Sequence, residues 1–479
     1  MTIEEQIIAW LAAQGPAIYL VGGWVRDRLL GRPNYDLDFA VDGQGMVLAR
    51  RLADHFAGDY YALDEERDTG RAIVTGPDGK RRFVDVARLR GPDLAADLAD
   101  RDFTINALAI DIKAPSVVID HHHGRDDLRR ELIRPVSDGS IRNDPVRALR
   151  AVRQAAQLGF SLTAETEALL RRDGAGLSTA SGERICDELA RLLVGPDAAA
   201  YLVLLDELGL LTVLFPALEP LRQLAQSPPH HLPVLAHSLK TVGALEQLLS
   251  TLKAGQPTPE LALLQPFAER LQAHLAQTMS STRPRLVTLK LAALLHDVGK
   301  AEAESREPEG RIRFIGHPKQ GKSQASEMLQ ELRLSRAEVQ LGETIIEHHM
   351  RPLLLAHEGS VSSRAIYRFF RDTGDAGVDV LLHALADNRA TYPPGSGDRE
   401  QQRLAALAAR MLQDYWEHKQ ERVAPPPLIT GRDLLREFDL QPGPLIGQLL
   451  EAVREAQVSG EVRTREQALD LVRLRLASP

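Results

Sequence analysis

The chain has 479 residues, of which 44% are hydrophobic and 26% charged, and its formal net charge is −8 at pH 7. This length is typical of about three domains, and the composition excludes an intrinsically disordered chain. The acidic balance argues against a general nucleic-acid coat, which binds through many Lys and Arg side chains, but it is compatible with a local basic surface. The single cysteine, Cys186, excludes an internal disulfide and a cysteine-based zinc site, so any metal must be held by His and carboxylate ligands.

We expect the protein to be located in the cytoplasm. No apolar run approaches the roughly 18 residues that a membrane span requires. The first fifteen residues, MTIEEQIIAWLAAQG, lack the basic and apolar regions of a signal peptide. We therefore expect no membrane partner.

Strand-like and helical patterns alternate over the first 140 residues, and helical patterns dominate the rest. Apolar runs such as AIYLVGG, DLDFAVD, RAIVTG, RRFVDVA and PSVVID indicate strands, and VRDRLLG and MVLARRLADHFAG indicate helices. The sequence therefore predicts an α+β fold. A small sheet-and-helix head (1–140) is followed by three all-helical parts: a neck (141–225), a middle domain (226–395) and a tail (396–479).

The most informative stretch of the head is a glycine turn. An apolar strand ends at Gly22 and Gly23, and the chain then enters an amphipathic helix in which Arg26 lies one turn on. Such a turn presents backbone N–H groups to a phosphate, and Arg26 can reach the same anion. The alternative is an ordinary turn without a ligand.

Two aspartates follow in the next predicted strand. Because side chains alternate along a strand, Asp36 and Asp38 share one face while Leu37 and Phe39 point to the core. Paired carboxylates suit Mg²⁺, and metal ions there can promote in-line nucleotidyl transfer. Asp85, in another strand-like segment, is a candidate third catalytic carboxylate, or else an ordinary strand-end aspartate.

Five segments in chain order resemble the motifs of the class II nucleotidyltransferases, the bacterial CCA-adding tRNA enzymes and poly(A) polymerases. The segments are GGWVRDRLLG (22–31) with DLD (36–38), RDFTINAL (101–108), GRDDL (124–128) running to Arg134, DPVRALR (144–150) and SGERICDEL (181–189). Before the second motif, residues 63–71 form a charged segment where the family has a flexible loop. Here that segment is either a mobile arm or a solvated turn.

The resemblance implies metal binding by Asp36 and Asp38. It implies nucleotide binding by residues of three motifs: Gly22, Gly23, Arg26, Asp27, Arg101, Asp102, Asn106, Asp144, Arg147 and Arg150. Within this set the resemblance implies triphosphate contact by Gly23 and Arg26, ribose and phosphate contact by the second-motif residues, and base selection by Asp144 and Arg147. The family usually has two arginines in its second motif, whereas here Asp100 precedes Arg101, so one phosphate contact is expected to be missing.

The spacing of Asp144 and Arg147 suits base selection if both lie on one helix face, with Arg150 continuing the stripe. Cytosine and adenine both present an exocyclic amine beside a ring-nitrogen acceptor. A carboxylate and a guanidinium complement that edge, and they would leave unpaired buried groups with guanine or uracil. The alternative is a surface salt bridge between the two residues.

A second cluster of candidate metal ligands lies in the middle domain. His296 and Asp297 follow a helical run, and their order with His237 and Asp387 resembles the HD-domain phosphohydrolases. His317 and either His348 or His349 would be extra ligands for a second ion, and His348 is the expected one. The resemblance implies a transition-metal ion or Mg²⁺ that activates water against a phosphoester. The alternative is a vestigial domain whose histidines are core residues or serve tRNA docking.

The tail resembles the C-terminal helical segment of the same family, where it helps to hold tRNA, or else it is a packing appendage. Thr430 is predicted to cap a helix, and Pro442-Gly443-Pro444 to form a turn before another helix. The function expected for the whole chain is template-independent addition of C and/or A nucleotides from CTP and ATP to the 3′ end of tRNA, with HD-domain phosphohydrolase activity. Partial CC or A addition, poly(A) polymerisation and a non-catalytic RNA-binding protein remain the alternatives. The sequence predicts no oligomeric state.

Overall fold

The computed structural model describes residues 1–280, 282–359 and 361–477. Over these residues the α+β fold is confirmed, with a mixed sheet near the N terminus and helices through most of the remainder. None of the helices in these three ranges combines the length and apolar character needed to cross a membrane.

The strands are β1 Ile18–Val21, β2 Asp36–Val41, β3 Asp59–Asp64, β4 Thr69–Thr75, β5 Arg81–Arg88, β6 Leu108–Asp111, β7 Val118–Asp120, β8 Leu132–Ile133, β9 Ser161–Leu162, β10 Thr278–Ser280, β11 Arg283–Pro284, β12 Glu304–Arg306 and β13 Ile312–Phe314. The α-helices are α1 Ile3–Ala12, α2 Gly23–Leu29, α3 Gly45–His55, α4 Leu94–Ala99, α5 Gly124–Arg130, α6 Ser140–Asn143, α7 Val146–Leu158, α8 Ala164–Asp173, α9 Gly182–Leu193, α10 Ala198–Glu207, α11 Leu211–Leu214, α12 Val234–Ala254, α13 Ala268–Leu275, α14 Arg285–Leu295, α15 Lys300–Ala303, α16 His317–Glu331, α17 Arg336–His348, α18 Arg351–His357, α19 Ser363–Thr373, α20 Gly377–Thr391, α21 Asp398–Glu417, α22 Gly431–Phe438, α23 Pro444–Val458 and α24 Arg465–Ala477. Short 3₁₀ helices lie at Thr104–Asn106, Gly174–Thr179, Pro216–Leu221, Ala262–Phe267 and Gly374–Ala376, and a π turn lies at Lys419–Val423.

The chain forms two compact units. The first contains Met1–Leu192 and Leu204–Leu214, and the second contains Leu193–Val203 and the residues from Phe215 onward. The division into head, neck, middle domain and tail stays a prediction.

The first unit is built around a seven-stranded sheet in the order β3-β4-β5-β2-β1-β6-β7. The β2–β5 pair is parallel, and the other neighbouring pairs are antiparallel. Alternating residues of β4 and β5 are buried, and helix α3 packs on this part of the sheet through Leu48, Ala49 and Leu52. Gly70 permits the close approach, because a Cβ there would lie 2.9 Å from the Cβ of Ala49.

The five strand segments predicted from apolar patterns are present as β1, β2, β4, β5 and β7. Strand β3 was missed because its residues are mostly exposed at the sheet edge, so the apolar pattern is weak. The charged segment 63–71 lies across the β3–β4 hairpin, and only its tip is a turn. Asp68 anchors this tip, because its carboxylate accepts the backbone N–H groups of Gly45 and Met46, at 2.9 Å each.

The core of the second unit is helical. Helices α12, α14 and α17 pack around α20, whose residues are almost all buried. Helices α22, α23 and α24 share a smaller apolar cluster that includes Leu434, Leu449 and Val472. The predicted cap is confirmed, because Thr430 accepts the N–H of Asp433, and the Pro-Gly-Pro turn precedes α23 as expected.

Candidate functional sites in the two units

Three carboxylates lie together on one face of the head sheet. Asp38 on β2 pairs in register with Asp85 on β5, and Asp36 lies two residues before Asp38 on the same face. Leu37 and Phe39 are buried on the opposite face, as the alternation predicts. Burial and the negative charge of Asp85 raise the pKa of Asp38 to about 7. Burial also raises the pKa of Asp36. Crowded acids that resist ionisation fit a divalent cation, which would supply the missing positive charge.

An arginine that the sequence analysis did not single out closes one side of this group. The Arg71 guanidinium donates two hydrogen bonds to Asp85, from Nε to Oδ1 at 2.7 Å and from Nη2 to Oδ2 at 2.8 Å. Its strand, β4, pairs with β5 so that Arg71 is opposite Asp85. The alternation within RAIVTG and RRFVDVA is a signal for this contact, but it requires the strand register.

The glycine turn lies against the carboxylates. Gly22 has φ +72°, a left-handed conformation that favours glycine, and a Cβ at this position would lie 3.1 Å from Nη1 of Arg101 and 3.5 Å from Oδ2 of Asp38. Gly23 begins α2. Arg101 is fixed by the buried Asp97, with Nη2 to Oδ2 at 2.9 Å. The turn therefore brings the backbone, an arginine and a candidate metal ligand together.

A partly buried network of hydrogen bonds links the first, second, fourth and fifth motifs. Arg26 donates to Asp27 and to Oδ1 of Asn106, both at 2.8 Å, and Asn106 Nδ2 donates to Asp102 at 2.9 Å. Arg150 then donates to Asp102 at 3.1 Å and to Glu188 at 2.8 Å. Burial opposes ionisation of Asp102, yet Arg150 and the bond from Asn106 hold its pKa below the usual value.

This network of hydrogen bonds includes two further residues that the sequence analysis did not assign to the site. Gln154 accepts the other N–H of the Asn106 amide at 3.1 Å, which fixes the amide so that its oxygen faces Arg26. Arg153 donates to Glu188 beside Arg150. Both residues lie on α7 with Arg150, and their spacing of three and four residues is a signal that could have found them.

The expected helical pairing of Asp144 and Arg147 is wrong. Asp144 is extended, with φ −147° and ψ 95°, and α7 begins only at Val146 after Pro145. The residue before a proline disfavours the helical conformation, which explains the break. The two side chains are nevertheless adjacent, with Asp144 Oδ2 at 3.8 Å from Arg147 Nε, and Arg184 binds the same carboxylate oxygen at 2.7 Å.

The terminal nitrogens of Arg147 donate to the backbone carbonyls of Asp100, Arg101 and Ser140, at 2.7, 3.3 and 3.2 Å. Arg147 Nε and Asp144 Oδ1 are buried without a hydrogen bond. A free donor and a free acceptor thus belong to two adjacent side chains at the position predicted to read the base. Asp100, which replaces the expected arginine, also pairs with Arg90 at 3.0 Å.

The candidate metal ligands of the second unit converge on Asp297. Its Oδ2 lies 3.1 Å from Nε2 of His296 and 3.8 Å from Nε2 of His237. Its Oδ1 lies 3.4 Å from Nε2 of His317 and 3.9 Å from Nε2 of His349. These residues form two groups of potential metal ligands that share one carboxylate. Oδ1 of Asp297 is buried and makes no hydrogen bond, so it would be available as a metal ligand.

The backbone orients the histidines toward this centre. The Nδ1 atoms of His296, His317 and His349 each pair with a carbonyl oxygen three residues earlier, at 2.9, 2.7 and 2.7 Å. Their Nε2 atoms therefore face the carboxylate, as metal-binding imidazoles do. Asp387 lies beside the first group, with its Oδ1 2.9 Å from Nε2 of His237 and 3.8 Å from Nε2 of His296.

The choice of His348 is wrong for this arrangement, because His349 occupies the position. Helix α17 ends at His348, and it is the His349 ring that points inward and is 1% exposed. Burial and the neighbouring imidazoles lower the pKa of His349 to about 3, which keeps it neutral for metal binding. The central carboxylate also has a cationic partner, because Nζ of Lys300 donates a hydrogen bond to Oδ2 of Asp297 at 2.6 Å.

Two further histidines of this region were missed. The His383 ring is buried with its centroid 4.7 Å from that of His296, and the His230 ring lies 5.2 Å from that of His237. The spacing of His383 and Asp387, four residues apart on α20, is a signal that both face the centre.

A cavity of about 480 Å³ opens onto this centre. Its lining combines the ligands with cationic residues, Lys300, Arg311 and Arg313, and with apolar or aromatic residues such as Phe314, Leu354 and Tyr392. Such a lining suits an anionic substrate that carries a flat apolar group.

The first unit thus has the sheet, carboxylates and arginines of a nucleotidyltransferase, and the second has a buried His/Asp centre. Residues 18–134 match the family described as Poly A polymerase head domain, and residues 234–391 match HD domain. Residues 159–221 match the family described as "Probable RNA and SrmB- binding site of polymerase A", and residues 313–472 match tRNA nucleotidyltransferase domain 2.

Two curated relatives extend over almost the whole chain. An A-adding tRNA nucleotidyltransferase of Deinococcus radiodurans is 33% identical over 95% of this chain and 94% of its own length. A CC-adding tRNA nucleotidyltransferase of Thermus thermophilus is 34% identical over 94% of this chain and 91% of its own. A solved CCA-adding enzyme in an apo form has the same fold, with a TM-score of 0.65 and 21% identity over 99% of this chain and 94% of that one. The chain belongs to the tRNA nucleotidyltransferase family, and it is a nucleotidyltransferase with an HD domain.

Proposed function

We propose that this enzyme adds C and/or A nucleotides to the 3′ end of tRNA, taking them from CTP and ATP without a nucleic-acid template. The observation that carries the proposal is that the strand register brings Asp36, Asp38 and Asp85 together. These acids lie beside the Gly22 turn and Arg101. The two relatives add A and CC respectively at nearly equal identity, so complete CCA addition and either partial addition are all consistent with the similarity. A poly(A) polymerase is the remaining alternative.

In the mechanism, Asp36 and Asp38 would hold Mg²⁺, and Asp85 would complete the carboxylate group. When bound, the ion lowers the pKa of the attacking 3′-hydroxyl and offsets the charge of the departing pyrophosphate. Arg26 and Arg101 would bind the triphosphate beside the glycine turn through their planar guanidinium groups. Asn106 would hold the ribose, because its amide is already oriented by Asp102 and Gln154.

Base selection would fall to the free acceptor of Asp144 and the free donor of Arg147. The carboxylate oxygen can accept the exocyclic amine of cytosine or adenine, and Nε–H can donate to the adjacent ring nitrogen. Both atoms are covered in this structure. Pairing with a base therefore requires the groups around them to move, among which Arg184 binds the same carboxylate.

Nucleotide incorporation into defined tRNAs tests this function. Transcripts that end without A, CA or CCA are incubated with one labelled nucleotide at a time, and a variant carrying Asp36→Asn and Asp38→Asn is the control. We expect labelled C, labelled A or both to add in the order of the missing bases, with no addition by the variant. Processive A addition to unrelated RNA would favour a poly(A) polymerase instead, and incorporation by the double variant would contradict the assigned site.

A second activity, metal-dependent hydrolysis of a phosphoester, is favoured by the two ligand groups that share Asp297. His237, His296 and Asp387 would hold one ion, His317 and His349 the other, and Asp297 both. A transition-metal ion or Mg²⁺ there would activate water. Hydrolysis of 2′,3′-cyclic nucleotides and phosphomonoesters is measured across a series of divalent metals. Purified protein that binds no metal at this centre would contradict the activity.

We further propose the four-part organisation expected above, with a head (1–140), a neck (141–225), an HD domain (226–395) and a tail (396–479) that helps to hold tRNA. Cytoplasmic location follows from the proposed substrates. Limited proteolysis tests these boundaries, and cleavage within a proposed part rather than between parts would contradict them.

A further inference from the structure

The Arg71–Asp85 ion pair occupies part of the proposed metal site. Both oxygens of Asp85 accept hydrogen bonds from one planar guanidinium, the bidentate arrangement that is strongest between arginine and a carboxylate. The Arg71 side chain is 35% exposed and that of Asp85 is 22% exposed, so the pair is partly shielded from water.

The sheet places Arg71 and the metal carboxylates at the same level on three neighbouring strands. Arg71 on β4 is opposite Asp85 on β5, and Asp85 is opposite Asp38 on β2. Asp85 therefore has a positive neighbour on one side and an acidic neighbour on the other. A divalent ion that uses Asp85 must compete with the guanidinium for the same oxygens and must also tolerate its charge nearby.

We propose that Arg71 is an internal competitor for the divalent ion, holding the Asp85 carboxylate in the ion-free enzyme and giving it up when the ion binds. Arg71 is thus a positioning residue that acts through Asp85. This inference rests on the proposed function, since it requires the ion to bind at Asp36 and Asp38. Its consequence is that the enzyme binds the metal more weakly than the carboxylates alone would allow.

Direct Mn²⁺ titration followed by electron paramagnetic resonance tests the competition on the full-length chain at low ionic strength. The head-site portion of the binding is the portion that is missing from the Asp38→Asn variant, so ions held by the second unit do not interfere. We expect Arg71→Gln to tighten this portion by about tenfold, because it releases both Asp85 oxygens from the guanidinium. Arg71→Lys, which keeps the charge but not the paired hydrogen bonds, is expected to give about a threefold gain.

Two controls separate competition from general electrostatics. Arg67→Gln removes an exposed arginine at the tip of the same hairpin, 66% exposed in its side chain, and is expected to leave Mn²⁺ affinity unchanged. In an Asp85→Asn background, the effect of Arg71→Gln is expected to shrink to about twofold or less, because the contested ligand is gone. Thermal unfolding of each variant checks that the chain is folded.

The outcomes distinguish the inference from the proposed function. Unchanged or weaker Mn²⁺ binding by Arg71→Gln, together with a clear loss in Asp38→Asn, overturns the competitor role and leaves the proposed metal site in place. No loss of binding in Asp38→Asn overturns the proposed metal site itself.

Discussion

Asp38 and Asp85 lie directly opposite each other on the parallel strands β2 and β5, so two acids share one face of the head sheet. Without a metal ion, this arrangement of acids lowers the free energy of unfolding. Burial and the charge of Asp85 raise the pKa of Asp38 to about 7. The stability is therefore lost as pH rises from the ordinary pKa of an aspartate to the raised pKa of Asp38.

Asp38→Asn is expected to stabilise the metal-free protein at pH 8 while abolishing nucleotide addition. A carboxyl group whose pKa is higher in the folded than in the unfolded chain lowers stability as pH rises from about 4 to about 7, after which the loss is constant. Removing the charge should therefore raise the free energy of unfolding by about 1–2 kcal/mol at pH 8 and by little at pH 4.5. Urea denaturation of both proteins in the presence of a chelator measures this free energy of unfolding at each pH. Equal stability of both proteins at pH 8 would contradict the raised pKa.

Arg147→Ala is expected to lose C and A incorporation and also to weaken the fold. The variant leaves three backbone carbonyls without their donors, which corresponds to about 2–3 kcal/mol. Arg142→Ala is the matched control, since its side chain is 61% exposed and it pairs with Asp173 only at 3.4 Å. Single-nucleotide incorporation with all four triphosphates measures selectivity. Normal selectivity in a folded Arg147→Ala protein would rule out base reading by this residue.

The sequence predicted the parts of these sites that depend on local pattern. The alternation in DLDF correctly places two acids on one face, and the Gly22-Gly23 pair correctly marks the end of β1. The contact between Arg71 and Asp85 depends on how β4 and β5 align, which no short stretch of sequence determines. The Asp144–Arg147 error was different, because Pro145 already indicated that a helix cannot extend back through Asp144.

In the second unit, too, local sequence could not predict which of two residues at the end of a helix lies in the site. His348 and His349 differ in position by one residue, or about 100° around a helix, and only the phase of α17 decides which ring points inward. The identities of the ligands are visible in the sequence. Their convergence on one carboxylate is a property of four packed helices and appears only in the structure.

Glu188→Gln is expected to destabilise the protein by about 3 kcal/mol, because Arg153 loses its buried counter-charge and Arg150 keeps only that of Asp102. The kcat for nucleotide addition should fall as well, since Arg150 is then held in place by Asp102 alone. Glu165→Gln is the control, because Glu165 forms an exposed pair with Arg134 at 3.5 Å and should contribute little. Equilibrium denaturation measures both variants, and equal effects would argue against a special role for Glu188.

His349→Ala and His348→Ala form a matched pair that tests the two-ion centre. His349 Nε2 lies 3.3 Å from that of His317 and 3.9 Å from Asp297 Oδ1, whereas His348 belongs to neither ligand group among the described residues. We expect His349→Ala to lose about one equivalent of bound transition metal per chain and His348→Ala to lose none. Elemental analysis after reconstitution and desalting measures the stoichiometry. Loss of metal in His348→Ala alone would reverse the assignment, and full metal content in both variants would exclude His349 from the centre.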